Sequence, residues 1–74
     1  MPSFYRSKLL ANQEIDKQFK TSLENGNELS IPLLILNITS RFEVGEKQVT
    51  KRINILVSAY EDKVRLRGDY VVFK

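Results

Sequence analysis

The chain has 74 residues, with 12 Lys or Arg, nine Asp or Glu and no His, so its formal net charge is +3. A chain of this size builds one small domain, whose single core leaves only a few kcal/mol of net stability. Because Cys is absent as well as His, disulfides, thiolate metal sites and the usual zinc ligands are excluded, and the commonest general base is missing.

The sequence contains no signal for membrane insertion or secretion. The amino terminus lacks a basic segment followed by a long apolar core, and no apolar run approaches the ~18 residues that a membrane span needs. We therefore expect a cytoplasmic protein that has no membrane partner. No motif indicates a cofactor or a metal ion, and we expect neither.

Residues 10–25 show the periodicity of an amphipathic helix. Apolar residues recur there at every fourth position: Ala11, Ile15, Phe19 and Leu23. Such spacing places them on one face of a helix, and Gly26 stands where a C′ glycine would end it. Asn25-Gly26 is also a strong hairpin signal, so a β-hairpin at this point is the open alternative. Residues 1–9 are predicted to form an N-terminal arm.

Residues 29–73 alternate with period two, which predicts an antiparallel sheet. We expect three strands joined by short turns, at 29–44, 49–61 and 64–73. The apolar residues keep one register across both turns, and a one-residue slip would move all of them to the other face. The expected fold is α+β, with the N-terminal amphipathic helix packed on a three-stranded antiparallel meander in two layers.

One helix covers only one face of such a sheet, so we look for a binding surface on the other face. The predicted registers place six apolar or aromatic residues there: Leu33, Ile35, Leu56, Tyr60, Val71 and Phe73. Four arginines are interleaved with them: Arg41, Arg52, Arg65 and Arg67. A surface of this composition is too apolar to be left in water.

This face favours a non-enzymatic binding module. Aliphatic, aromatic and Arg side chains are enriched in interface cores, so the first hypothesis is that the six apolar and aromatic residues bind a protein partner or form a homodimer. The alternative is nucleic-acid binding, with bases stacked on aromatic rings and phosphates held by arginines. Its residues would be Arg41, Arg52, Arg65, Arg67, Tyr60 and Phe73. A purely structural role, in which the N-terminal arm covers the face, is the third interpretation.

The charge is unevenly distributed along the chain. Residues 1–40 carry four basic and four acidic side chains, whereas residues 41–74 carry eight basic and five acidic ones. In one interpretation, the excess of basic side chains attracts a polyanion. In the other, these lysines and arginines protect the edge of a sheet from unwanted strand pairing. An enzyme is not expected, because His and Cys are absent and Glu43, Glu46, Glu61 and Asp62 lie at predicted turns, where carboxylates are usually solvated.

Overall fold

The structure, a computed structural model, describes residues 3–73, with side chains from residue 7 onward. In chain order this part forms helix α1 (Ser3–Asn25), strand β1 (Leu29–Ser30), helices α2 (Ile31–Arg41) and α3 (Glu46–Ala59), and strands β2 (Val64–Arg67) and β3 (Tyr70–Phe73). The strands form one antiparallel sheet in the order β1-β3-β2. The α+β class and the three-stranded antiparallel sheet are therefore confirmed.

The sheet is built from other residues than expected. Helices α2 and α3 occupy most of the segments 29–44 and 49–61, which were predicted as strands. The segment 64–73, predicted as one strand, is a hairpin of two strands. The strand order also differs from a meander, because β1 pairs with β3 across both intervening helices.

The amphipathic face predicted for α1 is buried. Ala11, Ile15 and Phe19 are each at most 1 % exposed, and Leu23 packs beside them. The helix begins at Ser3, so it replaces the expected arm over residues 3–9. Residues 1 and 2 lie outside the described part of the chain.

The C-terminus of α1 decides between the helix and the hairpin that the sequence left open. Gly26 has φ +70°, a conformation that favours glycine, and the Asn27 N–H donates to the Ser22 carbonyl at 3.1 Å. This bonding pattern is the Schellman motif, which satisfies carbonyls at a helix end. Gly26 therefore ends a helix, and the helical interpretation is confirmed.

A capped N-terminus starts α2. The Ser30 hydroxyl accepts a hydrogen bond from the Leu33 N–H at 3.4 Å. Pro32 lies in the first turn, where its missing N–H costs no helical hydrogen bond. The helix then buries Leu34 and Ile38, which are one turn apart. Serine and proline at this point thus mark a helix start rather than an edge strand.

The core lies where the three helices meet the β2–β3 hairpin. Its buried residues are Ala11, Ile15, Phe19, Leu34, Ile38, Val49, Ile53, Val64, Val71 and Phe73. The ring of Phe19 lies 5.2 Å from the Phe73 ring, nearly edge to face, and 5.6 Å from the Tyr60 ring. Such aromatic contacts add to the free energy gained from burial alone. Phe19 therefore joins α1, the end of α3 and β3.

We expect Phe19→Ala to lower the free energy of unfolding by about 3–5 kcal/mol, because it removes a buried ring and leaves a cavity. Urea denaturation followed by circular dichroism measures this change. Leu66→Ala is the control: Leu66 is 50 % exposed, and its truncation should cost within about 0.5 kcal/mol. Equal losses in the two variants would contradict a core centred on Phe19.

Candidate functional site

Helices α2 and α3 are consecutive, contact each other, and are joined by residues 42–45. The Phe42 N–H closes α2 by donating to the Ile38 carbonyl at 2.9 Å, and the Val44 N–H donates to the Phe42 carbonyl at 2.9 Å. Gly45 is the N-cap of α3. The length of this connection and its glycine agree with those of helix-turn-helix motifs, and we refer to α2, residues 42–45 and α3 as the helix-turn-helix unit.

The outward side of α3 carries mainly polar residues around one exposed isoleucine, Ile55. Val49 and Ile53 are buried, so helical geometry directs the opposite side of α3 to solvent. The residues that line this open surface are Glu46, Lys47, Thr50, Lys51, Asn54, Ile55 and Ser58. We call this set the α3 face. Two lysines oppose one glutamate, and three further side chains carry hydroxyl or amide groups that donate and accept hydrogen bonds.

None of the polar side chains of the α3 face forms a hydrogen bond or an ion pair with another described residue. The polar side chains on the flank of the same helix behave differently. Gln48 and Arg52 are both bonded to α1. The donors and acceptors of the α3 face thus remain available to a ligand, whereas those of the flank are used within the fold.

Two polar contacts set the rotation of α3 against α1. Gln48 Nε2 donates to Asn12 Oδ1 at 3.1 Å, and Arg52 binds Asp16 through two hydrogen bonds of 2.8 and 2.6 Å. The pairs are four residues apart on both helices, so they repeat once per turn. The hydrogen bond from Arg52 to Asp16 raises the pKa of the guanidinium, burial opposes this shift, and the charge of Asp16 adds to it. Arg52 is therefore a charged structural side chain.

A second polar cluster attaches α2 to α1. Gln18 Nε2 donates to Glu14 Oε2 at 3.0 Å and to Asn37 Oδ1 at 3.2 Å. Arg41 Nη1 donates to the same Asn37 oxygen at 3.2 Å and lies 3.6 Å from Glu14 Oε2. Both helices of the helix-turn-helix unit are thus attached to α1 by specific polar groups.

The β2–β3 hairpin places two arginines in solvent. Gly68, with φ +59°, and Asp69 form its two-residue turn, and a positive φ at the first position alone is the type II′ pattern. Arg65 and Arg67 are exposed, as is Leu66 between them, and Val64 is the buried residue of β2. Neither forms an ion pair with a carboxylate among the described residues. Tyr70 lies directly opposite Arg67 in the hairpin.

The four arginines of the predicted sheet face therefore do not lie on one sheet. Arg65 and Arg67 are on β2, whereas Arg41 and Arg52 are on helices and bind partners within the chain. Of the four, only Arg65 and Arg67 are both exposed and without an ion-pair partner among the described residues, as a phosphate contact requires.

The six apolar and aromatic residues are also dispersed rather than gathered on one sheet face. Leu33 on α2 is 67 % exposed, and Val71 and Phe73 are core residues. The others are partly buried against that core: Ile35, Leu56 and Tyr60. Since Tyr60 and Phe73 pack on Phe19, their rings are used in the core, and binding roles for the six residues stay predictions.

Sequence reasoning missed the α3 face because α3 was predicted as a strand. The signal for a helix was present: Val49 and Ile53 are four residues apart, followed by Leu56 and Tyr60 at spacings of three and four. A helix with this buried stripe would have directed the lysines at 47 and 51 outward together.

The described residues include no group of three or more acidic side chains placed to hold a metal ion. None of the helices in residues 3–73 is both long and apolar enough to cross a membrane. Comparison of the chain with protein-family models, curated proteins and solved structures gives no match.

We expect a double-mutant cycle on Asp16→Ala and Arg52→Ala to give a coupling free energy near 1 kcal/mol, the upper end for partly exposed pairs, because the two hydrogen bonds are well aligned. Urea denaturation of the four proteins measures it. The exchange Asp16→Arg with Arg52→Asp should recover part of the stability lost by either single exchange. Strictly additive effects would show that this pair does not hold α3.

Proposed function

We propose that this protein is a non-enzymatic module that binds double-stranded DNA and inserts α3 into the major groove. The observation that carries the proposal is the α3 face: the second helix of a helix-turn-helix unit presents a polar, net basic surface with no partners among the described residues. In DNA-binding units of this kind the second helix enters the major groove, and its N-terminal residues contact base edges.

The residue types of the α3 face suit the chemistry of base edges. Lysine donates to guanine acceptors, asparagine matches the donor and acceptor of adenine, and Thr or Ser hydroxyls suit several bases. Lys47, Thr50 and Lys51 lie in the first half of α3, and Asn54 lies one turn beyond Thr50. This placement supports direct reading of bases by the first half of the helix.

The hairpin supplies a second, electrostatic contact in this proposal. β2 follows α3 after a turn in which the N–H groups of Lys63 and Val64 both donate to the Tyr60 carbonyl, at 2.8 and 3.0 Å. This turn connects Arg65 and Arg67 directly to the end of α3. Exposed arginines bind phosphate oxygens through paired hydrogen bonds, which position a protein on the duplex without reading its sequence.

Helix insertion favours DNA over RNA as the ligand. The major groove of B-form DNA admits an α-helix, whereas the deep, narrow major groove of A-form RNA does not. The single-strand alternative stacks successive bases on several exposed aromatic rings; Tyr60 and Phe73 are packed on Phe19, which leaves Tyr70 as an exposed ring beside Arg67. The excess of positive charge in residues 41–74 agrees with a duplex ligand.

The first test is fluorescence anisotropy with a pool of DNA duplexes, from which a preferred sequence is selected. Lys51→Ala and Asn54→Ala should each weaken binding to that sequence by about 5- to 150-fold, because one base contact is worth about 1–3 kcal/mol. Lys17→Ala is the matched control, since it removes an exposed lysine from α1. Equal effects of the α1 and α3 variants would contradict insertion of α3.

The second test concerns the hairpin arginines. Because each phosphate contact releases a counterion, Arg65→Ala with Arg67→Ala should flatten the dependence of log K on log salt by about two units while leaving the preferred sequence unchanged. Titrations at several salt concentrations measure this slope. A changed sequence preference with an unchanged slope would assign these arginines to base edges and overturn their role as phosphate contacts.

A further inference from the structure

Beyond the α3 face, the described chain exposes an apolar surface on α2. Leu33 and Leu36 are one helical turn apart and are 67 % and 64 % exposed, the highest values among its large apolar side chains. They line one open cleft with the partly buried Leu29 and with Tyr70, which is 45 % exposed. We call these four residues the α2 patch. Neighbouring exposed apolar side chains of this kind mark a contact surface.

The chemistry of the α2 patch excludes DNA as its occupant. Glu28 is the one charged residue that lines the cleft among the described residues, so the patch is apolar with a negative edge. A phosphate backbone would be repelled by this carboxylate and would gain nothing from the leucines. The occupant must bury apolar surface, which indicates a protein.

We infer that the α2 patch is the contact surface between two copies of this chain. Opposite charges lie on the two sides of the α2 patch. Glu28 lines the cleft just before α2 begins, and Arg41 is the last residue of α2, so a negative group lies toward one end of the helix and a positive group lies at the other. When two α2 helices pack antiparallel about a two-fold axis between these leucines, each Leu33 meets Leu36 of the other copy, and each Glu28 approaches Arg41 of the other copy.

This arrangement satisfies the condition for an isologous interface, in which one surface must complement itself. A patch with a single charge sign at both ends would repel its own copy. On this surface the two ends carry opposite charges, and the leucines between them are uncharged. The Arg41 side chain is 50 % exposed and contacts its own chain through Nη1, so the remaining N–H groups of its guanidinium can bind a second carboxylate.

The interface is small, so we expect a weak dimer rather than an obligate one. Sedimentation velocity of the full chain without DNA should show reversible dimerisation. The protein concentration is raised to about 1 mM, so that a dimer with a dissociation constant in the millimolar range is detected. Leu36→Lys should abolish it. Leu66→Lys is the control, because Leu66 is comparably exposed on the hairpin, outside the α2 patch. Circular dichroism checks that both variants remain folded.

Charge exchange tests the antiparallel arrangement without removing apolar surface. Glu28→Arg alone and Arg41→Glu alone should each lose self-association, because each creates two like-charge contacts across the axis. A mixture of these two variants should form a 1:1 complex, since both contacts become attractive again.

Three results would overturn the inference: a monomeric wild-type chain at every concentration, a dimer that survives Leu36→Lys, or an equimolar mixture of the charge variants that stays monomeric. All of these measurements are made without DNA. They therefore leave the proposed DNA-binding function to its own tests.

Discussion

The packing of α3 on α1 is the constraint on which the functional surface depends. An amphipathic helix has a buried stripe, but a stripe of valine and isoleucine tolerates some rotation about the helix axis. The Asn12–Gln48 and Asp16–Arg52 contacts, repeated on successive turns, remove that freedom because hydrogen bonds are directional. They decide which side of α3 faces solvent, and hence which side chains compose the α3 face.

The sequence predicts α1 well and the other two helices poorly, for a physical reason. In α1 the helical period accounts for Ile15 and for the charged residues between the apolar positions, which the competing hairpin does not. In residues 31–38, apolar side chains lie at both odd and even positions, which suits a strand buried on both faces. Ile31, Leu34 and Ile38 also have the spacing of one face of a helix, so the segment fits either structure. Length separates the two, since strands usually have about 3–10 residues and two of the predicted ones were longer.

Part of the candidate site was visible in the sequence. Arg65 and Arg67 were predicted in a strand, and they lie on strand β2 with exposed side chains, although Leu66 between them is exposed too. Arg52 was predicted to lie on the candidate binding face, because a strand of residues 49–61 directs it away from Ile53, whereas the α-helix turns it toward Asp16 on α1. That contact joins positions 36 residues apart, and no local pattern encodes it.

The order of strands in the sheet bears on how the chain folds during synthesis. β3 lies between β1 and β2, so Leu29 and Ser30 have no strand partner until residues 70–73 have been made. Val71 and Phe73 then enter the core together and close it under Phe19. Until those residues are in place, the three helices lack the hairpin that completes their core, and the apolar surface left exposed makes such an incompletely folded chain prone to aggregate.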